Sequence, residues 1–565
     1  MPRSRDLILL TGTLTICMIV FLLGINWGLP SRKADPFLFG EHPVWSGREI
    51  AALAGMRASQ SNLGADVDRN PLAPSNGPIV LNETDAQRAE IIRRYRLYTY
   101  QPDEMITMMA LASMRPATRD FDPKLYQYGG LWIYPVGGLI RLFASPRADS
   151  VYYLDHPEEF ARFYVIARLY CVTWAIVGAW AIFWIVRRLT NQPILPACAT
   201  VCYALMPVVV NMAHEAKPHL PAAVLMLLAI VAASKFIDTG HKKWWALAGA
   251  LVGAAAGMVL SAIPTIVILP IMCWMRKETP SQRLIILIAS AVIAIDVFCL
   301  TNPYVLIHAL GDRTVLLSNL RNSQAMYKSP VSFGGVVNAI GLIGTGATIP
   351  LALAGVLALV ATARSSTQRT QPLLLLLAGV CAIILIQFFL LATGKPGEYA
   401  RFAILPDIGL SIVAFTAIAR LRPRLAMFFA GILVLSTAAH GVSYVWHFID
   451  DSAQRSTRVI AALRLQKHLA SGAATIATAA EPAPYSMPPV DLFTTRLILL
   501  APGEFDRSDA HISIRTVDRV PRDPVPGSEF WFRPRLLGTP ISWAHKPFEV
   551  RAKSRPTTSP VPSPP

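Results

Sequence analysis

The sequence predicts an all-α polytopic membrane protein with about eleven transmembrane helices. Of its 565 residues, 53% are hydrophobic and only 15% are charged, and the mean hydropathy is +0.43. Soluble domains carry about 25% charged residues. Apolar runs of helical length recur along the chain, whereas a transmembrane barrel would show short alternating segments. The fold class is therefore a bundle of helices that crosses the membrane many times.

The N-terminal part of the chain is predicted to be a transmembrane anchor followed by a long loop. Residues 1–29 contain the first apolar run, preceded by Arg3 and Arg5. The flank Trp27-Gly28-Leu29-Pro30 lacks a small-x-small cleavage pattern, so we expect a retained transmembrane anchor with a cytoplasmic N-terminus. Residues 30–162 are then an extracytoplasmic loop.

That loop is predicted to bear interfacial helices. Residues 128–145 are apolar and aromatic-rich, but they are short and contain Pro135, which favours an interfacial segment over a span. The positive-inside rule agrees, because a span at 163–186 that enters from outside places Arg187 and Arg188 in the cytoplasm.

The same alternation continues to residue 446, so residues 163–446 are predicted to be a multi-span core. Nearly every short basic loop then falls on one side of the membrane. The predicted spans are 7–29, 163–186, 194–211, 219–236, a hairpin of two spans over 244–275 that breaks at Ser261 to Pro264, 283–300, 335–362, 372–393, 402–419 and 425–446.

Residues 447–565 are predicted to be a small C-terminal extracytoplasmic domain. The runs Arg496 to Leu500 and His511 to Val517 are strand-like. From about Pro556 the chain is rich in Ser, Thr and Pro, which predicts disorder.

Charge and cysteine content exclude two classes of protein. The net charge of +17 comes from Lys and Arg residues spread through short loops, so no nucleic-acid partner is expected. A disulfide framework is not expected either, because every cysteine lies in an apolar segment. The seven cysteines are Cys17, Cys171, Cys198, Cys202, Cys273, Cys299 and Cys381.

Four polar clusters are predicted to lie at the same, extracytoplasmic ends of the spans. Ionisable residues at this depth are costly, which makes them functional candidates. The clusters are Asp103 with Glu104; His214 with Glu215 and Lys217; Asn302 with Tyr304; and Glu398 with Arg401.

Each cluster has more than one interpretation. Asp103 and Glu104 suit a general base, a divalent-ion site, or the first turn of a helix after Pro102. Glu215 and Lys217 suit a simple ion pair, or a second acid of the site and a phosphate contact. His214 lacks the partners that a zinc site would need. Arg401 is either an interface anchor or a bidentate ligand of a lipid-linked phosphate.

The order of these motifs resembles the GT-C superfamily of integral-membrane glycosyltransferases, in particular its family 39-like members. That family includes the protein mannosyltransferases and the aminoarabinose transferase of lipid A. The resemblance covers roughly residues 7–446, and the tail lies outside it. It is carried by Trp27-Gly28-Leu29-Pro30, Gln101-Pro102-Asp103-Glu104, the aromatic segment 128–145, His214-Glu215-Ala216-Lys217-Pro218, Asn302-Pro303-Tyr304, and Arg401-Phe402-Ala403-Ile404-Leu405-Pro406.

Three departures bear on substrate identity. Gln101 stands where members commonly have His, and position 219 is His rather than the frequent Asp. About seventy residues separate Pro30 from the acidic pair, where members often have few.

The resemblance implies a polyprenyl-phosphate sugar as donor and a hydroxyl of a protein, lipid or glycan as acceptor. The reaction would be an inverting direct displacement, with Asp103 as base and Glu104 supporting its loop. Arg401 and Lys217 would bind the donor phosphate. The remaining candidates for sugar or acceptor binding are Glu215, His214, Glu398 and Tyr304. No metal ligand is assigned, and a divalent metal stays an open alternative.

The alternative function is a polytopic transporter or flippase for a lipid or glycan, without transferase chemistry. It would place functional charges near the bilayer centre between related halves. Here the charges gather at one face, which favours the transferase. The expected location is the bacterial inner membrane, with membrane lipids as neighbours and with the active site and C-terminus outside the cytoplasm.

Overall fold

A computed structural model describes most of the chain, and most of the described residues are helical. The described ranges are 4–61, 79–327, 332–364, 371–395, 397–452, 456–469, 474–500, 504–505, 510–517, 524–531, 535–536, 539–540 and 547–552. The predicted disorder beyond Pro556 lies outside these ranges.

The helices run in chain order from α1 to α22. The first eleven are α1 Ser4–Leu22, α2 Asp35–Phe39, α3 Gly47–Ser61, α4 Asp85–Leu97, α5 Pro102–Ser113, α6 Gly130–Ala144, α7 Ser150–Asp155, α8 Pro157–Leu189, α9 Leu195–Leu205, α10 Pro207–Ala213 and α11 His219–Thr239. The others are α12 Lys242–Met258, α13 Ile268–Met275, α14 Pro280–Thr301, α15 Pro303–Leu310, α16 Thr314–Tyr327, α17 Phe333–Ala347, α18 Ile349–Arg364, α19 Pro372–Ala392, α20 Ile404–Ile418, α21 Pro423–Ser452 and α22 Thr457–Leu469. Short 3-10 helices occur at Arg32–Ala34, Pro116–Thr118, Leu260–Val267 and Gly397–Ala403.

The protein is an integral membrane protein, but the count of eleven straight spans is not what the described residues show. Seven helices are long and apolar enough to cross a membrane, or up to nine if each of two bent pairs is one span. The pair α9–α10 bends by 62° and the pair Phe333–Ala347 with Ile349–Thr362 bends by 104°. The predicted hairpin does break close to Ser261, but its first arm, α12, has 17 residues and its second arm, Leu260–Met275, consists of 8 residues of 3-10 helix followed by the 8 residues of α13. Those arms are shorter than the roughly 20 residues that span a bilayer.

The chain divides into two compact units. Unit 1 comprises Met1–Ile25, Asp103–Pro146 and Phe163–Ile449, and unit 2 comprises Asn26–Pro102, Arg147–Arg162 and Asp450–Pro565. Unit 2 contains parts of both predicted segments, 30–162 and 447–565. The reason is strand pairing, since Ile79–Val80 of the first loop pairs with the strand Arg496–Leu499 of the tail.

Unit 2 contains a mixed sheet, so the all-α class does not extend to this part of the chain, where two strand-like runs were predicted. The strands are β1 Ile79–Val80, β2 Thr475–Thr478, β3 Arg496–Leu499, β4 Ile512–Thr516, β5 Ser528–Trp531, β6 Arg535–Leu536, β7 Thr539–Pro540 and β8 Phe548–Ala552. The six-stranded sheet has the order β1-β3-β2-β4-β8-β5, with β2 parallel to both β3 and β4. β3 and β4 lie within the two runs that were predicted to be strand-like.

The long insertion of the first loop leaves and returns at one point in unit 2. The Tyr100 amide donates to the Gly28 carbonyl at 3.0 Å. Gly28 has φ of 56°, and a Cβ there would lie 2.7 Å from Cγ of Tyr100, so a larger residue is excluded on both counts. Gly28 and Tyr100 are therefore about seventy residues apart in sequence and yet are neighbours in space.

A buried ion pair ties this insertion together. The Arg96 side chain is fully buried and donates to Asp35 through Nε at 3.2 Å and Nη2 at 3.0 Å. Its Nη1 also donates to the Leu154 carbonyl at 2.9 Å. Arg32 reaches the same Asp35 carboxylate at 3.0 Å, but its side chain is 48% exposed.

We expect Arg96→Met to lower the Tm of the purified protein by ~6 °C, because losing a buried partner costs about 3 kcal/mol or more. Arg32→Met is the matched control, and its exposed pair contributes less than about 1 kcal/mol. Differential scanning fluorimetry in detergent measures both. Equal shifts for the two variants would contradict the importance of the buried pair.

Candidate active site

Asp103 lies at the start of α5 and meets two cations in unit 1. Its Oδ2 is 3.0 Å from Nζ of Lys217 and 3.5 Å from Nη1 of Arg401. The Lys217 side chain is fully buried and that of Arg401 is 6% exposed, whereas the Asp103 side chain is 20% exposed. Residues that are far apart in sequence therefore converge, and the carboxylate is the more accessible part of the cluster.

Glu104 points into the protein and has a different role. Consecutive residues of a helix are rotated by about 100°, so the two adjacent acids cannot share a direction. The buried Glu104 carboxylate accepts from Arg168 Nε at 2.8 Å and Nη2 at 2.7 Å, and from the Ala216 amide at 2.7 Å. It thereby ties α5 to α8 and to the loop that carries Lys217.

Arg168 was missed by the sequence analysis. It is fully buried within α8, and its Nη1 also donates to the Ile25 carbonyl at 2.7 Å. The signal was present, because Arg168 is a lone cation in the apolar run that was predicted to span the membrane at 163–186.

The loop 214–218 between α10 and α11 supplies Lys217 and Glu215. Nζ of Lys217 is 3.1 Å from Oε2 of Glu215, so one ammonium lies between two carboxylates. The Cys171 thiol, one turn after Arg168 on α8, lies 3.1 Å from the carbonyl oxygens of both Glu215 and Lys217 and donates to them. α8 thus holds this loop directly through Cys171 and indirectly through Arg168, which binds the Glu104 carboxylate that accepts from the Ala216 amide.

Electrostatic interactions keep Asp103 and Lys217 charged. Burial alone would raise the pKa of Asp103, but the charges of Lys217 and Arg401 outweigh it and hold the pKa well below its usual range. Burial likewise opposes the charge of Lys217, yet Asp103 and Glu215 raise the pKa of its ammonium above the usual value. The Tyr128 hydroxyl has a raised pKa because of its burial and of the Asp103 charge.

His214 does not face this cluster. Its Nδ1 lies 2.8 Å from the Val210 carbonyl, its Nε2 lies 2.8 Å from the Leu23 carbonyl, and its ring stacks on Phe448 at 4.3 Å. Burial lowers the pKa of His214 to about 4. Both ring nitrogens face backbone carbonyls, and the neutral ring can donate to only one of them. The predicted role of His214 in sugar binding stays a prediction.

Asn302 and Tyr304 hold loops at another part of unit 1. The Gly130 amide donates to Oδ1 of Asn302 at 2.7 Å, and the Phe121 amide donates to the Tyr304 hydroxyl at 2.9 Å. Neither contact involves the cluster around Asp103. The Glu398 side chain lies outside the described part of the structure, so its prediction is untested.

A largely apolar pocket adjoins Arg401. Arg401 packs over the rings of Tyr399 and Phe402, each 5.2 Å from its guanidinium carbon. The His219 ring lies 5.3 Å from the Phe402 ring. The lining residues are His219, Ala222, Ala223, Met226, Val259, Ser261, Ala262, Ile384, Gln387, Arg401, Phe402, Ile404 and Leu405.

Among the residues that the structure describes, no group of three or more His, Cys, Asp or Glu side chains could hold a metal ion. The carboxylates of Asp103 and Glu215 both contact the Lys217 ammonium. The arrangement resembles a phosphate-binding site with an attached carboxylate more than a metal centre.

A family model described as dolichyl-phosphate-mannose-protein mannosyltransferase matches residues 164–301. The matched segment includes Arg168, Glu215 and Lys217 but not Asp103 or Arg401. No curated protein sequence matches the chain.

Solved structures similar to this chain include three membrane transferases. ArnT from Cupriavidus metallidurans bound to undecaprenyl phosphate has 12% identity and a TM-score of 0.46, over 96% of this chain and 98% of that chain. The archaeal oligosaccharyltransferase AglB from Archaeoglobus fulgidus, in complex with an inhibitory peptide and a dolichol-phosphate, has 12% identity and a TM-score of 0.35 over 83% and 69%. The S. cerevisiae protein O-mannosyltransferase Pmt1-Pmt2 complex bound to the sugar donor has 12% identity and a TM-score of 0.28 over 50% and 36%.

The match to the mannosyltransferase family model confirms the resemblance of this chain to the GT-C superfamily of integral-membrane glycosyltransferases.

Proposed function

We propose that this protein transfers a sugar from a polyprenyl-phosphate donor to an acceptor hydroxyl at the extracytoplasmic face of the membrane. The observation that carries the proposal is the contact of one partly exposed carboxylate, Asp103, with two buried cations, Lys217 and Arg401. A base for the acceptor and a charge for the leaving phosphate are thereby within one cluster.

The reaction is a direct displacement with inversion at the anomeric carbon. The acceptor oxygen forms a bond to that carbon while the bond from the carbon to the phosphate oxygen breaks. Asp103 takes the acceptor proton, and the polyprenyl phosphate leaves with the bonding electron pair. Glu104 does not touch the reacting atoms in this scheme, because Arg168 and the Ala216 amide occupy its carboxylate.

Charge moves through the cluster in a balanced way. The donor is a phosphodiester with one negative charge, and the leaving polyprenyl phosphate gains a second. Asp103 loses its negative charge in the same step, because it becomes protonated. Protonation of Asp103 ends its ion pairs with Lys217 and Arg401 while the leaving phosphate gains negative charge. The attraction of these two cations for the phosphate is therefore stronger in the transition state than in the ground state.

The pocket beside Arg401 suits the lipid part of the donor. Its lining is mainly apolar, with His219, Ser261, Gln387 and Arg401 as polar exceptions. A polyprenyl phosphate has the same division, with a charged head and an apolar chain. Glu215, buried behind Lys217, serves to orient that ammonium, and sugar binding by Glu215 stays a second proposal.

The test of the proposed function is Asp103→Asn. Purified protein is incubated with radiolabelled polyprenyl-phosphate mannose, glucose or aminoarabinose, together with membrane acceptors, and release of polyprenyl phosphate is measured. Loss of a general base lowers rates by about 10²–10⁴-fold, and we expect a loss in this range. The exposed acid Glu41 provides the control Glu41→Gln, which should retain activity. A fully active Asp103→Asn protein would refute the base assignment.

Arg401→Gln tests the phosphate contact. We expect kcat/KM for the donor to fall about 100-fold, or ~2.7 kcal/mol, because a buried charge that binds the leaving group is removed. Arg420→Gln removes an exposed arginine just beyond the other end of α20 and should leave kcat/KM unchanged. A loss of the same size in both variants would point to general damage rather than to phosphate binding.

The pH dependence of the rate tests whether Asp103 and the donor phosphate share the cations Lys217 and Arg401. In the free enzyme the pKa of Asp103 is depressed by Lys217 and Arg401, so the carboxylate is ionised above that low pKa and loses activity only when the pH falls through it. Bound donor phosphate competes for both cations, which raises the pKa of Asp103. We therefore expect the acid limb of kcat, which reports the donor complex, at a higher pH than the acid limb of kcat/KM. Coincident limbs would contradict the sharing.

A further inference from the structure

A second buried carboxylate of unit 1 plays no part in the transfer reaction. Asp407 is the fourth residue of α20, lies within the apolar span Tyr399–Ile418, and is fully buried. Neither of its oxygens has a hydrogen-bond partner among the described residues. An ionised carboxylate in such a place is very costly unless an opposite charge neutralises it.

Asp407 lies where the two bent helix pairs approach each other. A Cβ on Gly346, the penultimate residue of α17, would lie 2.7 Å from Oδ2 of Asp407 and 3.6 Å from Cβ of Val208 on α10. The pair α17–α18 is broken at Thr348, and the pair α9–α10 is broken at Met206. Broken helices inside a membrane commonly place free backbone carbonyls around a bound ion.

Three further side-chain oxygens of this region are also buried without a partner. They are Oδ1 of Asn211, Oγ1 of Thr348 and Oγ of Ser411. Ser411 is one helical turn after Asp407 and lies on the same face of α20. Asn211 is one turn after Val208 on α10. Thr348 is two residues after Gly346, at the bend between α17 and α18. Four side chains on three segments thus offer oxygen atoms and no positive charge.

We propose that Asp407, Asn211, Thr348 and Ser411 bind a monovalent alkali cation, with Na⁺ as the expected ion. The ligands are all hard oxygens, which suit alkali and alkaline-earth cations rather than soft metals. One carboxylate balances one positive charge. The C-terminal end of α17 adds the negative end of its helix dipole, which favours a cation.

The position of this site suggests what the ion does. α10 leads directly into the loop 214–218 that holds Lys217, and α20 begins three residues after Arg401. A cation between α10, the α17–α18 bend and α20 therefore fixes the two segments that carry the phosphate-binding residues. That functional consequence rests on the proposed transferase activity, but the binding site itself does not.

Ion binding is measured directly, independently of transfer. Full-length protein in detergent is dialysed against ²²Na⁺, and its Tm is recorded in NaCl, KCl and choline chloride at equal ionic strength. We expect saturable uptake of Na⁺ and a Tm that rises with the logarithm of the alkali-cation concentration above Kd, because a ligand that binds only the folded state stabilises it. Choline should give no rise.

Asp407→Asn should abolish both uptake and the salt-dependent rise in Tm. Its Tm in choline chloride should equal or exceed that of the wild type, since the unneutralised carboxylate is gone. Ser411→Ala should weaken binding without removing it. Asp296→Asn is the matched control, because Asp296 is an exposed acid within another span, α14, and should bind Na⁺ as the wild type does.

Two results would overturn the proposal. The first is a wild-type protein with no uptake and the same Tm in all three salts, which would mean that Asp407 is held as a neutral acid. The second is an Asp407→Asn protein that still takes up the cation. Stabilisation by K⁺ and not Na⁺ would support the site and identify K⁺ as its ion. These outcomes are separate from failure of the transferase assay, because neither measurement uses a sugar donor.

Discussion

The geometry of the candidate site depends on the buried pair of Glu104 and Arg168. Arg168 projects from α8 and meets both oxygens of Glu104, while Glu104 also accepts from the backbone of the loop that carries Lys217. Breaking such a pair by removing one partner leaves an uncompensated buried charge, at a cost of about 3–5 kcal/mol. The pair therefore fixes the rotation of α5, and because Asp103 is the next residue back, it fixes the direction of the Asp103 carboxylate as well.

The first two of the motifs that carry the family resemblance are joined by a second constraint. Gly28 and Tyr100 are hydrogen-bonded neighbours in unit 2, so the approach to Pro102 is held although an insertion separates the motifs. Loop closure of this length costs little more than closure of a short loop, because the entropy grows only with the logarithm of length. An insertion whose ends meet can thus be accommodated at little entropic cost within unit 2.

The sequence identified several residues that lie together in the candidate site, but it gave less information about long-range structure. Asp103, Lys217, Glu215 and Arg401 were found because charges at the ends of apolar runs are unusual, and the structure brings all four together. His214 satisfied the same criterion but lies against backbone carbonyls and the Phe448 ring, since depth along a span does not specify the direction of a side chain.

Other features could not be obtained from local patterns. Arg168 and Cys171 are single polar residues within an apolar run, and their roles appear only when the loop 214–218 is placed against α8. The strand-like runs were recognised, but their sheet was not, because β1 is two residues long and its partner β3 is more than 400 residues away. The bends at Met206 and Thr348 were missed because hydropathy averages over a break in a helix.

Asp103 and Asp407 show two solutions to the same electrostatic problem in one unit. Asp103 is balanced by Lys217 and Arg401, which a phosphate can recruit, so its charge is available for chemistry. Asp407 has no basic side chain among its described contacts, and a fixed protein cation there would remain bound to it permanently. An exchangeable ion instead makes the neutralisation of Asp407 depend on the surrounding solution. Since α20 carries Asp407 and begins beside Arg401, the same helix links the ionic conditions at one carboxylate to the position of the guanidinium that contacts the other.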